Sequence, residues 1–308
     1  MEHTYLMPSH IEDKESIYES LTILHHKFNK TFNSNIFLDL STTSFIMPHL
    51  MAPLGLILSK IKSQNNSIML TNMRSSISKI LVNYGFLKSN QIRCRDIMQN
   101  YIKYKSFSGD DTDGFEQYLT SQLNDISDKS IIETLISHIL EIFVNVKTHA
   151  RHHENKNEFG KNEVFTSGYY NKNNNYIRFS IANNGKSFMN TIKDSLNYNF
   201  ENEFEYIEWA ILKKNTSKKN TPGGLGLYML NELVHKTKGE LIILSGKAYY
   251  HLYYSYKTKS FIVSAKDFSY SFPGTSVTVK FPLDSVPSGK TINNSESFDI
   301  LSILKGGI

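Results

Sequence analysis

The stretch Glu141-Ile-Phe-Val-Asn145-Val-Lys-Thr-His149-Ala150 decides how this chain is read. Glu141, Asn145 and His149 recur every four residues, so in a helix they share nearly one face. They belong to a longer helical pattern, Ser130 to His149, in which Ile131, Leu135, Ile139, Ile142 and Val146 make an apolar stripe and Asp128 offers an N-cap. Such a helix buries one side and carries an acid, an amide and an imidazole on another. Taken alone, that polar face reads equally as a solvated stripe or as part of a site.

The sequence downstream narrows the choice. Glu163 to Tyr170 and Tyr176 to Asn183 read as strands split by an Asn/Lys turn at Asn171 to Asn175, which makes a hairpin. The second strand runs into Asn183-Asn184-Gly185. A helix is predicted from Glu203 to Leu212, followed by a polar stretch from Lys213 to Pro222. Gly223-Gly224-Leu225-Gly226-Leu227 then opens a helix running from Gly224 to His235. Glycines ahead of a helix let backbone approach a phosphate, and the helix start supplies free N–H groups and a positive dipole end. Strands at Glu240 to Ser245, near Tyr249 to Tyr256, and at Thr275 to Phe281 complete the pattern, with Pro287 to Ile308 peripheral.

In this order the residues resemble the GHKL ATPase superfamily, which includes histidine kinases, gyrase-type topoisomerases and anti-sigma-factor kinases. The resemblance covers Ser130 to Leu283. Glu141-x-x-x-Asn145-x-x-x-His149-Ala150 is similar to the N box, Asn183-Asn184-Gly185 to the first glycine box and Gly224-x-Gly226-Leu227 to the second, and Gly274-Thr275 to the usual lead into the last strand. No Walker A loop is present, since Gly185-Lys186-Ser187 lacks the upstream glycine.

The resemblance implies an ATP site with Mg²⁺. Asn145 would hold the metal through its amide oxygen, and Glu141, one turn away, would orient or deprotonate a water or a substrate hydroxyl. His149, Asn183, Gly185, Gly223, Gly224, Leu225, Gly226, Leu227 and Thr275 would line the nucleotide. Lys218, within Lys213 to Lys219, would belong to a mobile lid over the phosphates. Two positions depart from the family pattern. Asn183 replaces the usual Asp that accepts from the adenine amino group, and an amide both accepts and donates, which relaxes base preference. Ser187 replaces the second glycine of the first box and stiffens the start of the lid.

The first hundred residues alternate strand and helix: Ile36 to Leu40, Leu50 to Ile61, Ser67 to Leu70, then Ile77 to Phe86 with Gly85 as a helix stop. That order implies parallel strands. Phe37-Leu38-Asp39-Leu40-Ser41, Phe45-Ile46 and Leu81 to Phe86 more distantly resemble the STAS fold of anti-sigma-factor antagonists. Met47-Pro48-His49 stands where those antagonists carry a phosphorylatable serine, so the resemblance implies a docking or sensing platform instead. The expected fold class is α/β, a STAS-like domain at 1–104 and a GHKL two-layer α/β sandwich at 130–285, joined by a linker and helix at 105–129 and ending in a tail at 286–308. Within the linker, Lys105 to Gly114 reads as loop.

Composition sets outer bounds. The 308 residues are 40% hydrophobic and 20% charged, which fits a folded globular protein, and 34 basic against 29 acidic side chains leave +5, too thin an excess to support nucleic-acid binding. One cysteine, Cys94, forms no intrachain disulfide and suits a reducing compartment. The longest apolar stretch, Ile46 to Leu58, is broken by Pro48, His49 and Pro53 and is short of a membrane span. The N-terminus has no signal-peptide order, so the expected location is cytoplasmic. His149, His152 and His153 read as neighbours more than as a metal site, the tyrosines from Tyr249 to Tyr256 as a half-buried strand, and Trp209 as core. The functional expectation is a slow ATPase that switches contacts with a protein partner. A protein serine kinase and a non-hydrolysing nucleotide-binding scaffold are the alternatives, and a homodimer remains open.

Overall fold

The computed structural model describes residues 1–88, 101–124, 126, 128–150, 163–196, 198–212, 215 and 226–286, with the side chains of 145–150 outside the described set. The chain opens with β1 (Glu2–Leu6), β2 (His10–Ile11), α1 (Glu15–Phe28), β3 (Asn35–Asp39) and β4 (Phe45–Ile46), followed by a 3-10 turn at Pro48–Leu50. Then come α2 (Met51–Ser63), β5 (Ser67–Thr71) and α3 (Ser75–Asn83). β1, β3 and β5 form a three-stranded parallel sheet in that spatial order, as the strand–helix alternation implies. Gly85 lies at φ +74 just beyond α3, the left-handed turn expected of it.

The two main helices of this N-terminal unit differ in character. α1 buries Ile17, Leu21, Leu24 and Phe28, one stripe at helical spacing. α2 buries every residue from Met51 to Ile57. A helix apolar all round must be covered all round. The cover is a second sheet.

That sheet is built from β6 (Tyr101–Ser108), followed by α4 (Thr112–Leu123) and α5 (Lys129–Ala150), then β7 (Glu163–Asn171) and β8 (Tyr176–Asn183). α6 (Phe188–Leu196), α7 (Glu203–Ala210) and α8 (Gly226–Thr237) precede β9 (Glu240–Ser255) and β10 (Ser260–Pro282). Five strands pair antiparallel in the order β6-β7-β8-β10-β9. Asp128 accepts from the Ser130 N–H at 2.9 Å, capping α5 as expected.

Alternate residues on each strand enter two different cores. Val164, Ile181, Ile243 and Val277 pack with α4, α5 and α8, whereas Phe165, Ala182, Ile242 and Leu244 pack with α1, α2 and the parallel sheet. The five-stranded sheet thus carries helices on both faces, where a two-layer sandwich was expected. The layers run parallel sheet, α1 and α2, antiparallel sheet, then α4, α5 and α8.

Two sequence expectations need correction. Lys105 to Ser108, read as loop, is the second half of β6, so a domain boundary after Tyr104 would cut a strand. Only Ile102 and Phe107 are buried there, and an edge strand with so few apolar residues gives no alternation to detect. Likewise the three strands expected after residue 240 are two long ones. β9 reverses direction within itself: His251 Nε2 sits 2.7 Å from Glu240 Oε1, eleven residues away, where a straight strand would separate them by about 36 Å. The reversal falls at Gly246, whose φ of +60 favours glycine.

Candidate functional site

Asn183 ends β8 on the face shared with α5 and α8, paired with Thr275 of β10 on one side and Val164 of β7 on the other. It is only 7% exposed. Its amide is fully oriented by neighbours: the oxygen accepts from the Gly185 N–H at 2.9 Å, and the nitrogen donates to the Thr275 carbonyl at 3.3 Å. Thr275 Oγ1 in turn meets Ser245 Oγ at 2.7 Å, and Ser245 Oγ accepts from the Phe188 N–H at 3.1 Å. Gly274, at φ +140, lies against this corner, and a Cβ there would collide with the Asn183 carbonyl oxygen. Asn183, Gly185 and Thr275 therefore lie together at one corner of the sheet. Ser245 and Gly274 join them. Ser245 was missed because a lone serine within a strand carries no pattern of its own.

Ser187 caps α6: its Oγ accepts from the Asn190 N–H at 3.2 Å and its carbonyl from the Thr191 N–H at 3.0 Å. Ser187 thus starts a helix. Next to it, Glu203 Oε2 accepts from the Lys247 N–H at 2.9 Å, fixing the start of α7 against the reversal of β9. Asp267 of β10 closes the same helix end, its two carboxylate oxygens accepting from the Glu203 N–H at 2.7 Å and the Phe204 N–H at 3.0 Å. α6, α7 and the first turn of α8 share a small core of Ile192, Tyr206 and Ala210, against which Leu227 and Trp209 pack.

Glu141 lies partly buried on α5. Gly226 is buried at the start of α8, which packs on α5. Of the expected α5 stripe, Leu135, Ile139 and Ile142 are buried and Ile131 partly so, while the Val146 side chain lies outside the described residues. The side chains of Asn145 and His149, and Lys218, Gly223, Gly224 and Leu225 altogether, lie outside the described residues, as do Cys94, His152 and His153. Among the described residues no group of three or more His, Cys, Asp or Glu could hold a metal ion. No described helix is long and apolar enough to cross a membrane.

On the opposite face of the sheet lies a buried charge network that sequence reasoning did not find. Asp13, just ahead of α1, accepts from His49 Nε2 at 2.7 Å and Tyr18 Oη at 2.9 Å, and its other oxygen pairs with Arg178 of β8. Arg178 also pairs with Glu240, which holds His251. Arg178 is 5% exposed and His49 fully buried. Burial alone would raise the Asp13 carboxyl, but His49 and Arg178, with the Tyr18 hydrogen bond, hold it far below the usual carboxylate range. Burial likewise opposes ionised Glu240, yet His251 and Arg178 leave its carboxyl lowered. Burial would also discharge Arg178, and the two carboxylates keep it charged. The partners are separated in sequence by up to 165 residues, so no local pattern could reveal them.

A nucleotide base can be tested against the Asn183 corner. An amide oxygen carries two acceptor positions, and Gly185 uses one, leaving one for an exocyclic amino group. The fit holds for a single acceptor contact. Comparison with protein-family models and with curated proteins finds no match to this chain.

Proposed function

We propose that the chain is a Mg-ATP-binding protein of the GHKL type, a slow ATPase whose nucleotide state switches contacts with a protein partner. The observation that supports this reading is a convergence on one face of one sheet. α5, bearing Glu141, packs beside α8, whose first turn is Gly226-Leu227, while Asn183, Gly185 and Thr275 gather at the adjoining strand ends. Glu141, Asn183, Thr275 and Gly226 thus fall on elements that share a core, which supports the reading. In this reading Asn183 accepts from the base, Asn145 supplies the metal-facing oxygen, and Glu141 takes a proton from the attacking water. Mg²⁺, when bound, would neutralise phosphate charge.

Calorimetry tests the reading. Wild-type protein should bind ATP more tightly with Mg²⁺ than with a chelator, and Asn145→Ala should erase most of that difference. Equal losses in both conditions would remove Asn145 from the site. γ-Labelled ATP incubated with the protein and a host lysate separates the activities: free phosphate indicates hydrolysis, a labelled band indicates a kinase, and neither indicates a scaffold.

A further inference from the structure

The pairing of β9 with β10 is irregular between Asp267 and Thr275, its register shifting on either side of the Phe272–Gly246 pair, and this segment reaches in three directions. At its start, Asp267 caps the N-terminus of α7, whose Glu203 holds Lys247 beside Gly246 and Ser187. In its middle, Phe268 and Phe272 are buried in the core of α1, α2 and the parallel sheet. Tyr270 stacks on His26 of α1 at 3.8 Å, and the Ser271 carbonyl meets His25 Nδ1 at 3.0 Å. At its end, Gly274 lies against the Asn183 carbonyl and leads into Thr275. Eight residues therefore touch α1 on one face of the sheet and both the α7 start and the Asn183 corner on the other.

A surface loop serving only as a connection would be polar and unattached. The irregular stretch of β10 instead buries two phenylalanines in one unit and uses its carboxylate to fix a helix in the other. We propose that the segment Asp267 to Gly274 is a coupling element, through which the position of α1 in the N-terminal unit sets the placement of α7 and of the Asn183–Thr275 corner. Resting on the nucleotide-binding reading, this makes the N-terminal unit a regulator of nucleotide affinity. A partner that shifts α1 would act on the site without touching it. The physical element is a chain of packed rings and cap hydrogen bonds, and such chains carry coupling when both ends are biased by one arrangement.

The test uses the full chain. The double variant His26→Ala, Tyr270→Ser removes an exposed ring stack while leaving Phe268 and Phe272 in the core, so folding should survive. Amide hydrogen exchange is read at Glu203 and Phe204 without nucleotide, with β3 amides as the internal control and Asp267→Ala as the direct perturbation. Asp267→Ala should raise exchange at both amides by about tenfold, the scale of a lost helix cap. The double variant should raise it by at least about threefold and weaken Mg-ATP binding by roughly 3- to 10-fold. Exchange at Glu203 and Phe204 that matches wild type in the double variant overturns the coupling. A wild type that binds no Mg-ATP, together with raised exchange in the double variant, supports the coupling and overturns the nucleotide reading. Normal exchange with weakened Mg-ATP binding does the reverse.

Discussion

Asn183 uses its amide in a way that a carboxylate could not. Its nitrogen donates to the Thr275 carbonyl while its oxygen accepts from Gly185. Asn183→Asp puts an acceptor against that carbonyl, and the new acid can restore the bond only when protonated, so its folded pKa is raised. The sign follows. The variant should match wild type at pH values below the unfolded value of about 4, and lose roughly 1–3 kcal/mol as pH rises towards neutrality. Thermal unfolding of both proteins at pH 4 and pH 7 checks this, and a gap that fails to widen would place the amide elsewhere. If a base does rest on this residue, the same variant should sharpen the preference for ATP over GTP. Glu141 makes a separate prediction: Glu141→Gln preserves shape but removes the proton acceptor, so affinity for Mg-ATP should hold while turnover falls by roughly 10²- to 10⁴-fold. Phosphate release unchanged in the Gln variant would end its catalytic role.

Among the elements, α2 makes the sharpest demand on its neighbours. Its Gly55 faces the ring of Tyr104 on β6 so closely that a Cβ would overlap the ring. In an exposed helix Gly→Ala stabilises by about 0.5–1 kcal/mol. Here the sign should invert, with Gly55→Ala lowering the denaturation midpoint and Gly55→Ala, Tyr104→Leu recovering part of the loss. A stabilised single variant would contradict the contact between α2 and β6. α2, α5 and the β7–β8 hairpin were legible in the sequence because each writes a dense apolar period. β6 and the first half of β10 were not, since an edge strand with two buried side chains and a stretch from Ser260 to Asp267 with none fully buried leave almost no period. The candidate site divides in the same way. Glycines and a four-residue spacing mark Asn183, Gly185 and Gly226, whereas Ser245 and Asp267 act through hydrogen bonds between distant segments, which spacing does not encode.

At the scale of the whole molecule, the network of Asp13, His49, Arg178, Glu240 and His251 ties the N-terminal unit to the sheet. Asp13 and Glu240 titrate below their ordinary values in the folded protein, so they stabilise it above about pH 4 and this contribution is lost as pH falls through their folded values. The acid limb of the stability curve should therefore be steep. Asp13→Asn should flatten it. Arg178→Met leaves two buried carboxylates without their cation and should destabilise by about 3–5 kcal/mol at neutral pH. Equilibrium denaturation from pH 3 to pH 8 reads both effects, and parallel curves for wild type and Asp13→Asn would refute the linkage.

The shared core around α1 and α2 also dictates an order of events at the ribosome. Chains generally fold domain by domain as they emerge, the first-made unit first. Here the first-made unit is missing part of its own interior: Phe165, Ala182, Ile242, Leu244, Phe268 and Phe272 are supplied by strands translated far later. Until β7 and β8 have left the exit tunnel, the flank of α2 that meets the antiparallel sheet has no partner, and the core is closed only when β10 follows. The nascent chain is thus a natural client for chaperones over most of its synthesis. A truncation that stops before residue 240 should be captured by them or aggregate, because the antiparallel sheet it contains lacks β9 and β10.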